Sequence, residues 1–160
     1  MTARDCSANF SALKVNQYTM STAKKQFYVF SELVEVIVSS KETNGTFCVI
    51  RQYSNPGGGP PPHIHAKEDE FFTVIDGEFE IFDGANWHPI NKGEAAYTLR
   101  SNPHTFRNRG SAMGCIQATV IPGGLDEYLE KLSQLSMPPV IEEVVQISDP
   151  YGISFLPPQQ

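Results

Sequence analysis

Two histidines, His63 and His65, a nearby carboxylate, Glu70, and a third histidine, His104, are the residues of this chain best suited to act together. The first three lie in or just after Gly57-Gly58-Gly59-Pro60-Pro61-Pro62-His63-Ile64-His65, ahead of Gly77, and His104 lies in Pro103-His104-Thr105-Phe106-Arg107-Asn108. In an extended segment, side chains two positions apart leave the same face. His63 and His65 can therefore turn their rings onto one ion. Imidazole is mostly unprotonated near neutral pH and ligates Fe, Mn, Ni, Co, Cu or Zn. A carboxylate supplies charge, and by spacing alone Glu68, Asp69 and Glu70 all qualify. His104 has to arrive from another strand. Three neutral imidazoles and one carboxylate leave a divalent ion with net positive charge and, in octahedral geometry, with open positions. That combination favours a chelating anionic or enolate-like substrate, whereas a closed structural site has no such opening. His88, beside Trp87, reads as a surface residue or one bonded behind the ligands. Tyr97, Phe72, Phe82 and Phe106 read as core or pocket wall, and Met20, Met113 and Met137 lack any spacing that asks for a soft metal.

The elements that would carry these groups are mostly strands. The aromatic and β-branched run from Phe27 to Ser39 is strand-forming and long enough for two strands with a bend. A further strand follows from Thr46 to Tyr53, after a turn at Thr43-Asn44-Gly45. Pro60-Pro61-Pro62 then interrupts any ladder, because proline has no N–H to donate. Phe71 to Ile75, Asp76-Gly77 and Glu78 to Phe82 carry a hairpin signature, and Glu78 and Glu80 alternate with Phe79 and Ile81 as in a sheet with one wet face. Short strands are expected at Trp87 to Ile90, Ala95 to Leu99, His104 to Asn108 and Met113 to Ile121. After Pro122-Gly123-Gly124 the period changes, and Leu125, Leu129 and Leu132 mark a helix with Asp126, Glu127, Glu130 and Lys131 outside. A second helix is expected from Pro139 to about Ser148, with an apolar, partly ordered tail after it. Residues 1–25 have no strong period, although Val15 to Met20 suit an edge segment. The pattern is all-β, a sandwich or barrel, with a C-terminal helical appendage.

Composition narrows the function. The chain has 160 residues, 40% hydrophobic and 19% charged, with a formal net charge of -6. It suits one domain with a real core. With no basic cluster beyond Lys24-Lys25, nucleic acid is not the expected partner. No apolar run is long enough to span a membrane, and Met1 to Ala12 does not read as a signal peptide. Cys6, Cys48 and Cys115 are odd in number and fit neither a disulfide framework nor a zinc knuckle. Cys48 and Cys115, in apolar strand-like runs, are expected to be buried thiols in a reducing, cytoplasmic setting.

With these residues in view, the chain resembles the cupin superfamily. A family motif of glycine, His-x-His, glutamate and glycine runs here as Gly57, His63, His65, Glu70 and Gly77, which favours Glu70 as the carboxylate. A second motif appears as Gly93, His104 and Asn108, with Leu99 and Ser101 where the family usually has proline and glycine. The resemblance covers roughly residues 30–121. It implies a single-domain jelly-roll β-barrel or sandwich, with residues 1–25 an extension, 26–121 the barrel and 122–160 the helices and tail. It also implies one divalent transition-metal ion on His63, His65, Glu70 and His104. Asn108 would brace a strand end. The C-terminal segment is similar to that of small cupins grouped with quercetin dioxygenases, often homodimers whose sheet edge is extended by a partner's N-terminal segment, here Val15 to Phe30. The implied function is a quercetinase-like dioxygenase acting on an enolic or phenolic small molecule, with Glu70 also serving as base. The alternatives are a metal-assisted isomerase or lyase of a small acid or sugar, with Arg51, Arg100 or Arg107 contacting substrate, or a non-catalytic small-molecule-binding cupin.

Overall fold

Short β-branched and aromatic runs cut by glycine and proline form strands in this chain, whose computed structural model describes residue 23 and residues 25–157. The strands are β1 (Lys25–Val29), β2 (Glu32–Val38), β3 (Cys48–Ser54), β4 (His63–His65), β5 (Asp69–Asp76), β6 (Glu78–Phe82), β7 (Trp87–Asn91), β8 (Ala95–Thr98), β9 (Thr105–Asn108), β10 (Gly114–Ile121) and β11 (Ile153–Phe155). The helices are α1 (Leu125–Leu132) and α2 (Ile141–Ser148). The expected bend after residue 27 falls at Phe30, whose φ of 55° reverses the chain between β1 and β2. β1 then pairs with β2 of its own chain. The rest of the proposed exchange segment lies outside the described residues, as does Cys6.

Six strands form one sheet in the order β1-β2-β3-β10-β5-β8. A second layer consists of a β11-β4 pair and a β7-β6-β9 sheet, joined by an antiparallel bridge between His63 and His104. Among the described residues the ladders close neither layer into a ring. Between the layers lies a core that includes Val34, Ile50, Val74, Phe79, Ile116 and Val120.

The hairpin expected across Asp76-Gly77 is corrected. β5 pairs with β10 and β8, while β6 pairs with β7 and β9. Gly77 carries the chain from one layer to the other. Its φ is 87°, and a Cβ there would lie 3.0 Å from the Gly114 Cα, so only glycine fits this crossing. The true hairpin is β6-β7. Its turn is held by Asp83, whose Oδ1 accepts from the amides of Ala85 and Asn86 at 2.9 and 2.7 Å. The local Asp-Gly signal was sound for a turn, but it carries no information about which strands pair.

Other expectations are corrected by burial. Asp126 is not on the wet side of α1. It is 6% exposed and accepts from the Ser40 amide at 3.0 Å and from the Ser40 hydroxyl, tying α1 to the end of β2. Tyr97 is exposed rather than core, on the outward face of edge strand β8. Cys48 and Cys115 are buried free thiols, and burial pushes the Cys48 thiol up to about 11, which makes it a packing residue rather than a nucleophile. No helix among the described residues is long and apolar enough to cross a membrane.

Asn108 braces a strand end as expected. Its Nδ2 donates to the carbonyls of Ser54 and Ala112, both at 2.8 Å, and its Oδ1 accepts from the Gly110 amide at 2.8 Å. Truncation strands three backbone groups in a buried site. Asn108→Ala is expected to lose roughly 2–4 kcal/mol, read from the midpoint of urea unfolding against the parent protein.

Candidate metal centre

The cluster is built from backbone register. His63 and His104 sit opposite each other, His63 N donating to His104 O at 3.0 Å and His104 N donating to His63 O at 2.9 Å. Side chains of such a pair leave the same face, and the two rings stand 4.6 Å apart between centroids. His65, two residues along β4, adds a third ring 4.9 Å from His63 and 5.4 Å from His104. Glu70 arrives from β5 in the other layer. There Glu70, Phe72 and Val74 alternate inward while Phe71 faces out. The site therefore joins the two layers.

His65, Glu70 and His104 are 2%, 3% and 2% exposed, and His63 is intermediate and lines the adjacent cavity. One potential ligand atom from each of the four lies within 4.8 Å of all the others. Two donors opposite each other across an ion at ~2.1 Å would stand about 4.2 Å apart, so the cluster is close to the size one ion requires.

The donor chemistry fits a metal. His63 Nδ1 lies 2.8 Å from Pro61 O and His104 Nδ1 lies 2.9 Å from Asn102 O. Both oxygens only accept, so each Nδ1 carries the proton and each Nε2 keeps its lone pair. His65 Nδ1 faces Glu68 Oε2 at 3.3 Å and is assigned the same way. Ligating histidines are commonly anchored by such bonds on the far nitrogen. His104 Nε2 then meets Glu70 Oε2 at 2.8 Å, an approach that calls for positive charge between them, which a proton or a metal ion supplies. The cluster forms a site suited to a single divalent metal ion.

Without an ion, protons stand in for its positive charge. Burial, with the neighbouring His104 and His65, lowers His63 to about 3, so it stays neutral and available. Burial opposes ionisation of Glu70, but His65, His104 and His63 outweigh it and hold the carboxyl at about 2. Burial likewise opposes protonation of His65, yet Glu70 and Glu68 raise it above its ordinary value.

The rival carboxylates have other tasks. Asp69 points away from the cluster and takes a two-toothed bond from Arg100, with Nε at 3.0 Å and Nη2 at 2.7 Å. Glu68 is buried behind His65 rather than beside the ion. The β5 alternation separates Glu70 from Asp69, and that signal is present in the sequence. His88 is a surface residue bonded to Asp83 at 2.7 Å. Where the resemblance expects glycine, Ser101 adopts a φ of 66° while its amide donates to His65 O at 2.7 Å.

A cavity of about 210 Å³ opens beside the cluster. Phe72, Phe106, Ile50, Ile116 and Ala118 give it apolar walls, and Leu125, Tyr128 and Leu132 of α1 cover it. Sequence reasoning missed two of its polar groups, Glu32 and Gln52. Glu32 shares the inward face of β2 with Val34 and Val36, whereas Glu35 faces out to Tyr53. Among the described residues no lysine or arginine lines the cavity. Arg51 donates to Gln117 at 3.0 Å, Arg100 is held by Asp69, and Arg107 pairs with Glu80 over the Trp87 ring.

Residues 51–117 match the family model described as the cupin domain. A search of curated proteins finds no match. Among solved structures the chain is similar to KdgF from a Halomonas species, with a TM-score of 0.58 and 14% identity over 64% of this chain and 90% of the other. A predicted oxalate decarboxylase from Thermotoga maritima aligns with a TM-score of 0.57 and 19% identity over 65% and 99%. An RmlC-like cupin from Shewanella frigidimarina aligns at 0.56 and 13% over 64% and 87%. At these identities the likeness establishes the shared fold.

Two outcomes are expected. Glu68→Gln should weaken Co²⁺ binding by about 10- to 100-fold, measured by titration with a competing chelator. Ser101→Gly should raise unfolding stability by about 1 kcal/mol, because the left-handed backbone no longer carries a Cβ, read from thermal denaturation of the metal-free protein.

Proposed function

We propose that this chain, a member of the cupin superfamily through residues 51–117, is a metal-dependent enzyme that moves protons on a small hydroxy-carbonyl compound. The reaction class is an isomerisation or lyase reaction that consumes no dioxygen. The observation that carries this reading is the arrangement of His63, His65, Glu70 and His104 at the edge of a small, partly open cavity. A divalent ion there supplies Lewis-acid polarisation of a substrate oxygen.

The chain's own residues do the rest. His63, His65 and His104 present Nε2 to the ion, held in orientation by Pro61, Glu68 and Asn102. Glu70 adds charge as a ligand and serves as the base. It takes a proton from the hydroxyl-bearing carbon beside the carbonyl and returns it to the former carbonyl carbon, while the hydroxyl proton passes to the former carbonyl oxygen. The C–H electron pair moves within the carbon skeleton, so no oxidant is needed. Phe72, Phe106 and Ile116 exclude water from that transfer. The cavity, about 210 Å³, is small and suits a short chain or single ring. The similar fold of the predicted oxalate decarboxylase agrees with chemistry on a small molecule. Among the described residues no arginine or lysine lines the cavity, which favours an uncharged substrate.

A second reading, a quercetinase-like dioxygenase acting on an enolic or phenolic molecule, draws on the apolar wall, which suits dioxygen. The two part in one experiment. Protein loaded with Mn, Fe, Co, Ni, Cu or Zn is incubated with dihydroxyacetone or glyceraldehyde in D₂O under argon, with parallel oxygen-electrode runs on enolic diketones. Deuterium entering the carbon beside the carbonyl without oxygen, lost by roughly 10²–10⁴-fold in Glu70→Gln, is the expected result. Stoichiometric oxygen uptake with no anaerobic exchange would reject it in favour of the oxygenase. His104→Ala is expected to abolish stoichiometric metal in elemental analysis. Retained metal in that variant would dismiss the four-ligand site.

A further inference from the structure

Glu32 is a buried carboxylate that the metal cluster does not use. It is 8% exposed and lines the same cavity as His63, His65 and Glu70. Among the described residues its one side-chain hydrogen bond is a long one, from Gln52 Nε2 to Oε2 at 3.4 Å. Its other oxygen, Oε1, lies 2.4 Å from where a Cβ on residue 58 would stand. Gly58 therefore leaves the space that the carboxylate occupies. A buried carboxylate held by one weak bond is under-satisfied, and a ligand bearing hydrogen-bond donors would complete it.

The charge around it narrows the ligand. Among the described residues Glu32 and Glu70 are the two acids of the lining, and no lysine or arginine joins them. A divalent ion on the cluster balances two carboxylates and leaves no surplus positive charge for a second anionic group on the substrate. This replaces the net positive site expected from the four ligands alone. The Gln52 amide, beside Glu32, adds one donor and one acceptor, a pairing suited to a hydroxyl.

We infer that Glu32 and Gln52 form a hydroxyl-recognition subsite, which selects substrates with an uncharged, hydroxyl-bearing end and rejects those with a carboxylate or phosphate there. The inference rests on the proposed metal-dependent reading, because the other end of the substrate is held at the cluster. Glu32 accepts the substrate hydroxyl proton in a hydrogen bond, and Gln52 orients the carboxylate. A second carboxylate brought against Glu32 would meet like charge in a low-dielectric wall with no cation to offset it.

The test compares ligands that share a chelating head and differ only at the far end. Co²⁺-loaded protein is titrated calorimetrically with 4-hydroxybutanohydroxamic acid and with succinohydroxamic acid, and visible absorption reports contact with the ion. Acetohydroxamic acid, the head alone, is the control. The parent protein is expected to bind the hydroxyl-ended probe at least about tenfold more tightly, a difference of roughly 1.4 kcal/mol. Glu32→Gln should bring that ratio close to one, with cobalt content and acetohydroxamate affinity unchanged. Gln52→Met should narrow the preference without reversing it. Equal affinity of the parent for both probes, or a full preference surviving in Glu32→Gln, would overturn the subsite. If acetohydroxamate binds normally in that case, the open metal centre stands and only the subsite falls. If acetohydroxamate leaves the cobalt absorption unchanged, the open metal centre is wrong and the subsite goes with it.

Discussion

One backbone pairing organises this molecule. His63 and His104 exchange two amide hydrogen bonds across an antiparallel bridge, and everything in the second layer is arranged around it. The bridge joins the β11-β4 pair to the β7-β6-β9 sheet. It also sets two imidazoles side by side with no demand on side-chain rotamers, because residues paired in this way project to one face. His65 follows from the same strand's alternation. Without the bridge, His104 would be one histidine on a loop far along the chain.

The second constraint is that the cluster spans two layers. Three ligands come from β4 and the start of β9, while Glu70 comes from β5 in the six-stranded sheet. Binding an ion there couples sheet-to-sheet packing to metal chemistry, so occupancy and stability are linked. The same arrangement explains why each histidine spends its Nδ1 on an acceptor behind it. A ring aimed across a gap between layers needs an anchor on its own side, and Pro61, Glu68 and Asn102 provide it. Glu68, first considered a rival ligand, serves the site from behind.

The cavity adds chemistry that the ligand set alone does not have. Its apolar walls come from both layers and from α1, and they strengthen any electrostatic interaction inside. In such a space one further carboxylate matters. Glu32 changes the expected charge of the site and with it the kind of molecule that fits. Three arginines that a site for acidic substrates could use, Arg51, Arg100 and Arg107, are held by partners elsewhere: Gln117, Asp69 and Glu80.

Much of this was legible in the sequence because it is local. Strand alternation, the proline break before His63, the i, i+2 histidines and the apolar spacing of α1 each depend on a few adjacent residues. Alternation along β5 even distinguishes Glu70 from Asp69. The cluster of His63, His65, Glu70 and His104 was therefore legible in the chain, with the family resemblance choosing Glu70 over Glu68. Only the tertiary structure decided which strands pair. Asp76-Gly77 announces a turn, yet the space beside Gly77 and the partners β10 and β9 send its two arms into different layers. Asp126 looked wet until Ser40 was brought to it, and Glu32 had no evident role until Gly58 and Gln52 closed around it. Those facts arise from contacts between residues distant in the chain, and no periodicity within a single strand encodes them.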